Sequence, residues 1–303
     1  MQPWSAESSP TMPPEWGPDV VAAYDYDHLN VSVSDGVAVV AIDNPPINLM
    51  TSALFRSLAK CSAQLATDDD VRVVVLRSTV PGFFIAHFDV EAILQFPIDG
   101  DAREEPELGG FDRMCEAFRT MNKVTIAELR GRVGGGGGEL SAACDMRFGD
   151  RETFAWNQME VPLGILPGGG GTQRLPRLIG SGRAMEVVVG AVDIDADTAE
   201  RWGFLNRVFP GAELSAAVDA LAARIASFPP EAVRHAKRAV VAASERGLVD
   251  GLRHETYLFQ SILRDPDAAP TMRAFLDAGG QTPEFESRVG DAMGELHARD
   301  HDT

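Results

Sequence analysis

Residues 160–175 read EVPLGILPGGGGTQRL, a stretch with one acidic residue and a run of four consecutive glycines. Glu160 stands among apolar residues, where a carboxyl group is partly desolvated and its pKa is raised. A raised pKa is what a general acid or base needs near neutral pH. A single glutamate on a loop more commonly faces solvent, so both interpretations of Glu160 stay open until other segments are considered.

A second glycine run, Gly134–Gly138, leads directly into Glu139 and Leu140. Glycines beside an apolar strand let the backbone approach another molecule closely. The residues after the run are typical of a helix start, where free N–H groups favour negative charge. A flexible linker and tight helix–sheet packing are the alternatives. No Gly-Lys-Ser/Thr follows, and an acid after the glycines repels phosphate, so the run is neither a P-loop nor a dinucleotide fingerprint.

A third segment, Phe83–Asp89, follows an apolar stretch that predicts a buried strand over residues 71–76. Ala86 is a small residue just after this strand, where a backbone N–H group can point into a pocket. Ordinary packing at the end of a strand explains the same residues, so the segment alone is a weak signal.

Taken in order and at these separations, the three segments resemble the motifs of the enoyl-CoA hydratase/isomerase (crotonase) superfamily. Ala86 to Asp89 resembles part of Phe-x-Ala-Gly-x-Asp, and Gly136 to Leu140 resembles Gly-Gly-Gly-x-Glu-Leu. Residues 160–175 resemble the long motif that ends in Gly-Gly-Thr-Gln-Arg-Leu, and Asn44 to Asn48 resembles Pro-x-x-Asn. The resemblance covers roughly residues 29–263.

The resemblance implies an enzyme, a lyase that hydrates trans-2-enoyl-CoA to 3-hydroxyacyl-CoA in fatty acid metabolism. By analogy, the N–H groups of Ala86 and Gly136 form an oxyanion hole for the thioester carbonyl. Glu139 takes a proton from water as it attacks C3, and Glu160 delivers a proton to C2. Neither a metal nor a separate cofactor is expected, because CoA is part of the substrate. The remaining expected substrate-binding residues are His87, Phe88, Asp89 and Gly135.

Two departures from the family pattern keep other functions open. His87 replaces the usual glycine, and Glu91 stands where many relatives have a basic residue facing the CoA phosphates. A Δ3-Δ2 enoyl-CoA isomerase, which needs only Glu160, is the first alternative. A non-catalytic acyl-CoA-binding subunit is the second, although two acids in an apolar pocket argue against it.

The resemblance also implies an α/β fold, with a crotonase-like β/α spiral core and a helical C-terminal oligomerisation region that forms homotrimers or homohexamers. The residue pattern independently predicts a hairpin turning at Asp35-Gly36 and a helix capped by Thr51 or Ser52. Strands and helices alternate to about residue 210, and helices dominate beyond. Helices are predicted over residues 184–189, 197–202, 213–227, 231–244 and 248–263.

We therefore divide the chain into a flexible acidic N-terminal extension (1–27), the spiral core (28–210) and the helical C-terminal region (211–303). Within the core, residues 97–110 are rich in Pro, Gly and acids, which predicts a loop.

Composition limits the partners and the compartment. The 303 residues include 45 acidic and 27 basic side chains, giving a net charge of −18. Such a chain repels polyanions, which disfavours binding to nucleic acid or to an anionic membrane. No apolar run reaches the roughly 18 residues of a membrane span, and no signal peptide is visible. Three cysteines without metal-type spacing suggest reduced thiols, so we expect a soluble, cytoplasmic protein.

Overall fold

The structure is a computed structural model that describes residues 24–298. The strands are β1 (Leu29–Ser34), β2 (Val37–Ile42), β3 (Val73–Ser78), β4 (Phe83–Ile85), β5 (Val124–Leu129), β6 (Arg132–Gly134), β7 (Met146–Asp150), β8 (Ala155–Asn157), β9 (Ile194–Asp195) and β10 (Arg207–Phe209). The helices are α1 (Ser52–Thr67), α2 (Val90–Ile93), α3 (Gly110–Thr120), α4 (Gly136–Ala143), α5 (Gly171–Ile179), α6 (Ser181–Gly190), α7 (Ala196–Trp202), α8 (Gly211–Ala226), α9 (Pro230–Ala242), α10 (Leu248–Ile262), α11 (Ala268–Asp277), α12 (Pro283–Glu286) and α13 (Val289–Ala298).

The hairpin predicted at the start of the core is confirmed. Strands β1 and β2 pair antiparallel, with Leu29 opposite Ile42. Asp35 and Gly36 between them both have positive φ, +51° and +79°. Two such residues match the right-handed twist of the flanking strands, which is why Asp-Gly favours this turn.

Two sheets form the framework of the core. The larger has the order β1-β2-β3-β5-β7-β10, and the smaller has the order β4-β6-β8-β9. From β3 to β8 the chain steps from one sheet to the other with every strand, and all strand pairs within this run are parallel. This stepping is the predicted β/α spiral, and the predicted α/β fold class is confirmed.

Helices cover the larger sheet on both faces. Helix α1 begins at its N-cap Thr51, whose side chain accepts a hydrogen bond from the Leu54 N–H, and it buries Leu54, Leu58 and Leu65. On the other face, α8 packs Leu214 and Val218 into a second apolar cluster with residues of β3 and β5. The C-terminal region therefore begins by completing the core of the spiral.

The helices predicted in the second half are all present, with ends displaced by at most three residues. No strand or helix lies between Ile93 and Gly110, as the predicted loop over 97–110 requires. Contacts with the core already begin at Tyr24, whose hydroxyl bonds to Asp68, and at Tyr26, whose hydroxyl lies 2.6 Å from Gln64 Oε1. The rest of the predicted N-terminal extension, residues 1–23, lies outside the described residues.

Two properties of the fold bear on its chemistry. All three cysteines are buried and none forms a disulfide. Within residues 24–298, no helix combines the length and the apolar character needed to span a membrane.

Candidate active site

A cavity of about 670 Å³ opens beside the first turn of α4 and the glycine loop that precedes α5. Its polar walls come from Glu139 and Glu160, together with glycine backbone. The rest of the lining is apolar and consists of Phe88, Ile93, Phe96, Phe111, Ile165 and Leu166. An apolar cavity with a few convergent polar groups is the usual form of a small-molecule site.

Glu139 is held at one side of this cavity by backbone donors. It belongs to the first turn of α4 and is only 4% exposed. Its Oε1 accepts hydrogen bonds from the N–H groups of Gly169 at 2.7 Å and Gly171 at 2.9 Å. Because both donors bind Oε1, the second oxygen, Oε2, has no hydrogen-bond partner within residues 24–298 and is available for a bound molecule.

The pKa of Glu139 is raised to about 7, chiefly because burial disfavours its charged form. The two backbone N–H groups act in the opposite direction, and the nearby carboxylates of Glu160 and Asp112 raise the pKa further. The group therefore exchanges protons in the physiological range of pH.

Glu160 occupies the other side and is half-buried. It precedes a single 3₁₀ turn, Val161–Leu163, and burial raises its pKa as well. The amide Nε2 of Gln158 lies 3.4 Å from Glu160 Oε2. Gly135 packs against it, with a positive φ of +45°, and a Cβ atom there would stand 2.8 Å from Glu160 Oε1. Glycine at this position thus leaves room for the carboxylate.

The expectation for Ala86 must be corrected. Its N–H group donates to the carbonyl oxygen of Ile47 at 3.2 Å, so the oxyanion-hole hydrogen bond that we assigned to it is already made elsewhere. Phe88, two residues further on, lines the cavity, and its N–H has no acceptor among the described residues. Ala86 instead fixes the end of β4 against the segment that follows β2.

The N–H of Gly136 is also without an acceptor in the described part of the chain. Gly136 is the first residue of α4, where helix N–H groups have no partner within the helix. A Cβ atom on Gly136 would lie 3.6 Å from the Cβ of Phe88, so these two residues stand side by side at the cavity wall. Two neighbouring residues of the cavity lining thus carry N–H groups without an acceptor in residues 24–298.

The remaining predicted substrate-binding residues divide between the cavity and the framework. Phe88 lines the cavity. The His87 ring places Nδ1 2.8 Å from the Phe88 carbonyl oxygen, and its Cβ stands 3.4 Å from where a Cβ on Gly135 would lie. Asp89 is the N-cap of α2 and accepts a hydrogen bond from the Glu91 N–H. The Asp89 side chain therefore stabilises a helix, and it does not line the cavity.

Several cavity residues were missed by sequence reasoning. Phe111 contacts both Phe88 and Phe55, with ring centroids 5.8 and 6.0 Å apart. Ile93 and Phe96 come from α2 and the turn after it. The donors Gly169 and Gly171 lie in the long glycine motif, which was the available signal for them. Nothing in the sequence alone connects Phe96 or Phe111 with that motif.

A metal site is a separate question. Within the described part of the chain, no three His, Cys, Asp or Glu side chains are grouped so that they could hold a metal ion.

Comparison with known proteins gives a consistent result. Residues 32–288 match the family described as enoyl-CoA hydratase/isomerase. The chain is 34% identical over 266 residues to a Rhizobium meliloti protein named "Probable enoyl-CoA hydratase", covering 87% of this chain and 99% of the relative. It is 31% identical over 243 residues to the short-chain-enoyl-CoA hydratase of Clostridium acetobutylicum, covering 80% of this chain and 91% of the relative.

Solved structures resemble the fold over a similar range. The enoyl-CoA hydratase of Bacillus anthracis superposes with a TM-score of 0.75 and 27% sequence identity. The match covers 83% of this chain and 96% of that chain.

Proposed function

Because this chain belongs to the enoyl-CoA hydratase/isomerase (crotonase) family, we propose that it hydrates a trans-2-enoyl-CoA to the 3-hydroxyacyl-CoA. The observation that carries the proposal is the pairing of Glu139 and Glu160 across one apolar cavity. Both carboxylates line the same cavity, and the charge of Glu160 is one of the causes that raise the pKa of Glu139. Structural stability alone gives no reason to place two acids there.

The two available N–H groups would bind the thioester carbonyl oxygen. As water adds at C3, the electrons of the double bond move toward this oxygen and create an enolate. We assign the stabilisation of that negative charge to the N–H groups of Phe88 and Gly136, and the positive end of α4 would add to the effect. One such donor typically contributes about 10²–10³-fold in rate.

The two glutamates divide the proton transfers. Glu139 accepts a proton from water while the water oxygen forms its bond to C3, and Glu160 donates a proton to C2. The site gains and loses one proton in each turnover, so atoms and charge balance over the cycle. The roles require one carboxylate and one carboxylic acid, a state that two neighbouring buried carboxyls favour because both cannot readily ionise.

We assign the apolar lining to binding of the acyl chain. Phe88 and Phe111 form one wall, and Ile93 and Phe96 form another. Water addition needs neither an electron carrier nor a metal ion, so the proposed reaction requires no cofactor beyond the CoA that the substrate carries.

We also infer that the chain works as a homotrimer or homohexamer. Helices α10 and α11 leave a series of large apolar side chains exposed. These are Leu248, Val249, Leu252, Tyr257, Phe259, Met272 and Leu276. Apolar surface of this extent favours burial against another chain.

The test is loss of the conjugated enoyl-thioester absorbance with crotonyl-, octenoyl- and cinnamoyl-CoA, and a 3-enoyl-CoA in parallel. We expect loss with at least one 2-enoyl substrate, reduced about 10²–10⁴-fold by Glu139→Gln and by Glu160→Gln. Glu186→Gln, on the exposed face of α6, is the matched control and should retain the parent rate.

Two other results would contradict the proposal. Appearance of conjugation from the 3-enoyl substrate, without hydration, would make the protein an isomerase that uses Glu160. Binding of CoA esters without any turnover would make it a non-catalytic subunit.

A further inference from the structure

Arg174 contacts the glycine turn at Gly169–Gly171, and it is not among the residues that line the cavity. It lies in the first turn of α5, and its side chain is only 14% exposed. Nη1 donates to the carbonyl oxygen of Gly169 at 2.7 Å, and Nη2 donates to Glu116 Oε1 on α3 at 2.7 Å. One guanidinium thus joins the glycine turn before α5 to a carboxylate on a different helix.

Gly170 makes this reach possible. Its φ of +96° lies in the left-handed region, and a Cβ atom there would overlap the Arg174 guanidinium. The side chain therefore passes directly over Gly170 to reach the carbonyl of the preceding residue. Such an approach requires glycine at this position.

The same turn presents its other face to the active site. The N–H groups of Gly169 and Gly171, on either side of Gly170, both donate to Glu139 Oε1. The turn is thus bound on one face by Arg174 and on the other by the carboxylate that we propose as the general base.

We propose that Arg174 is a positioning residue that fixes the Gly169–Gly171 turn from behind, so that both N–H groups stay aimed at Glu139. The proposal rests on the proposed function only in calling Glu139 catalytic, because the contacts themselves do not depend on the reaction. The planar fork of arginine suits the role, since it binds a carbonyl and a carboxylate at once.

The carboxylate that binds Arg174 is itself held in place by a second arginine. Glu116, the second partner of Arg174, also receives a hydrogen bond from Arg119 at 2.8 Å. Although burial acts to raise the pKa of Glu116, hydrogen bonds from Arg119 and Arg174 hold it below its usual range. Glu116 therefore stays ionised near neutral pH and keeps its attraction for Arg174.

A consequence at Glu139 follows from the hydrogen bonds. Donors to a carboxylate stabilise its charged form, so a turn that drifts away leaves the pKa of Glu139 higher. The other groups that face Glu139 are Glu160, before the 3₁₀ turn, and Asp112 and Cys115 on α3. The charge of Arg174 acts to lower the pKa of both Asp112 and Cys115, so a change at Arg174 that removes its charge also alters these two groups. Arg174→Lys keeps that charge, so a shift in the Lys variant reports the position of the turn.

The experiment measures unfolding stability against pH at one fixed protein concentration, for the parent and for Glu139→Gln. The parent should lose stability relative to Glu139→Gln as pH rises above about 4.5, because only its Glu139 must ionise while buried. The stability difference between the two proteins stops changing above the folded-state pKa of Glu139, so the pH at which it levels off reports that pKa. No substrate is needed.

The pair is then measured in Arg174→Met, Arg174→Lys and Glu116→Gln backgrounds. We expect the pH at which the stability difference levels off to rise by about one unit in Arg174→Met. Arg174→Lys keeps the charge but cannot hold both partners, so it should shift in the same direction. Arg177→Gln, one turn further along α5 with its guanidinium on the Gln173 carbonyl, is the matched control and should not shift.

Turnover gives an independent measure where an enoyl-CoA substrate is converted. Arg174→Met should lower kcat roughly 10- to 100-fold with KM nearly unchanged, because the base is misplaced while the acyl-binding walls remain. If the pH at which the stability difference levels off is unchanged in every Arg174 and Glu116 variant that folds, the positioning role is overturned. Full conversion by Glu139→Gln would instead overturn the proposed function and leave the stability result standing.

Discussion

For single residues, a role in the proposed oxyanion hole depends on whether the backbone N–H group is already hydrogen-bonded within the protein. Ala86 and Phe88 both follow β4, but Ala86 donates to Ile47 and Phe88 does not donate to any described residue. That difference arises from a contact between segments far apart in sequence. Residue pattern could therefore indicate the loop that supplies a donor, and it could not indicate which N–H in the loop is available.

Gly136 offers a direct test of a backbone donor. Proline is tolerated at the first position of a helix and lacks the N–H, whereas alanine places a Cβ at the same point and keeps it. Gly136→Pro should therefore lose about 10²–10³-fold in kcat relative to Gly136→Ala. Steady-state rates of both variants, with circular dichroism to verify folding, decide the matter. Equal rates would show that the Gly136 N–H does not contribute.

The pH dependence of activity tests the role of Glu139. Its pKa is raised to about 7, so it is protonated below that pH and cannot accept a proton from water. We expect kcat/KM for hydration to rise with pH through about 7 as Glu139 ionises, and to fall at higher pH where Glu160 has lost the proton that it donates to C2. Asp112→Asn should move this rise to lower pH, because the Asp112 charge is one of the causes that raise the pKa of Glu139.

The opposite profile would contradict the assigned roles. Activity that falls as pH rises through about 7 would make Glu139 the acid and Glu160 the base. Profiles are to be measured with a saturating and a limiting substrate concentration, so that effects on binding are separated from effects on proton transfer.

At the scale of elements, the sequence predicted the framework more closely than the cavity. Helix α1 has local signals for both its cap and its buried face, and the structure has it where these signals place it. The start of α4 was expected after the glycines, but the helix begins within them, at Gly136. Glycine has a low helix propensity, and tight packing of α4 against β4 overrides it there.

Helix α2 and the turn after it could not be predicted as part of the site. They are short, lie next to a long loop, and place Ile93 and Phe96 over the cavity only through tertiary packing. Phe96 remains 57% exposed, which leaves apolar area to be covered by an acyl chain. This element therefore has the features expected of a surface that selects substrates by the length of the acyl chain.

Shortening the Phe96 side chain should affect substrates with a long acyl chain more than those with a short one. Phe96→Ala should raise KM for octenoyl-CoA about tenfold, because the longer chain loses an apolar contact, and should change KM for crotonyl-CoA much less. The kcat values should stay close to the parent. Leu94→Ala, also exposed but absent from the cavity lining, is the control. Equal effects on both substrates would place the acyl chain elsewhere.

In the whole molecule, the alternation of strands between two sheets brings the three motif segments to one cavity. The order of motifs in the sequence indicated that they act together, and the parallel spiral gives the physical reason. Each step between sheets places another β-strand end and helix start beside the previous one. The apolar surface of α10 and α11, by contrast, has no counterpart within residues 24–298 to cover it.

Assembly can be tested on that surface. Sedimentation equilibrium should give three or six times the chain mass of 32.6 kDa. Leu252→Asp combined with Tyr257→Asp should shift the protein toward smaller species, because two buried charges oppose association. Arg253→Asp, between them and 76% exposed at its side chain, serves as the control for added negative charge. A parent that sediments at the mass of one chain would contradict the proposed oligomer.

We propose that water is added at the site of Glu139 and Glu160, and transfer of an oxygen isotope from water shows whether it is. The product formed from the best 2-enoyl-CoA substrate in H₂¹⁸O is analysed by mass spectrometry. With the parent we expect a 3-hydroxyacyl-CoA that is heavier than the substrate by one H₂¹⁸O, and with Glu139→Gln little or none over the same time. A product of unchanged mass with a moved double bond, or equal labelling by both proteins, would contradict it.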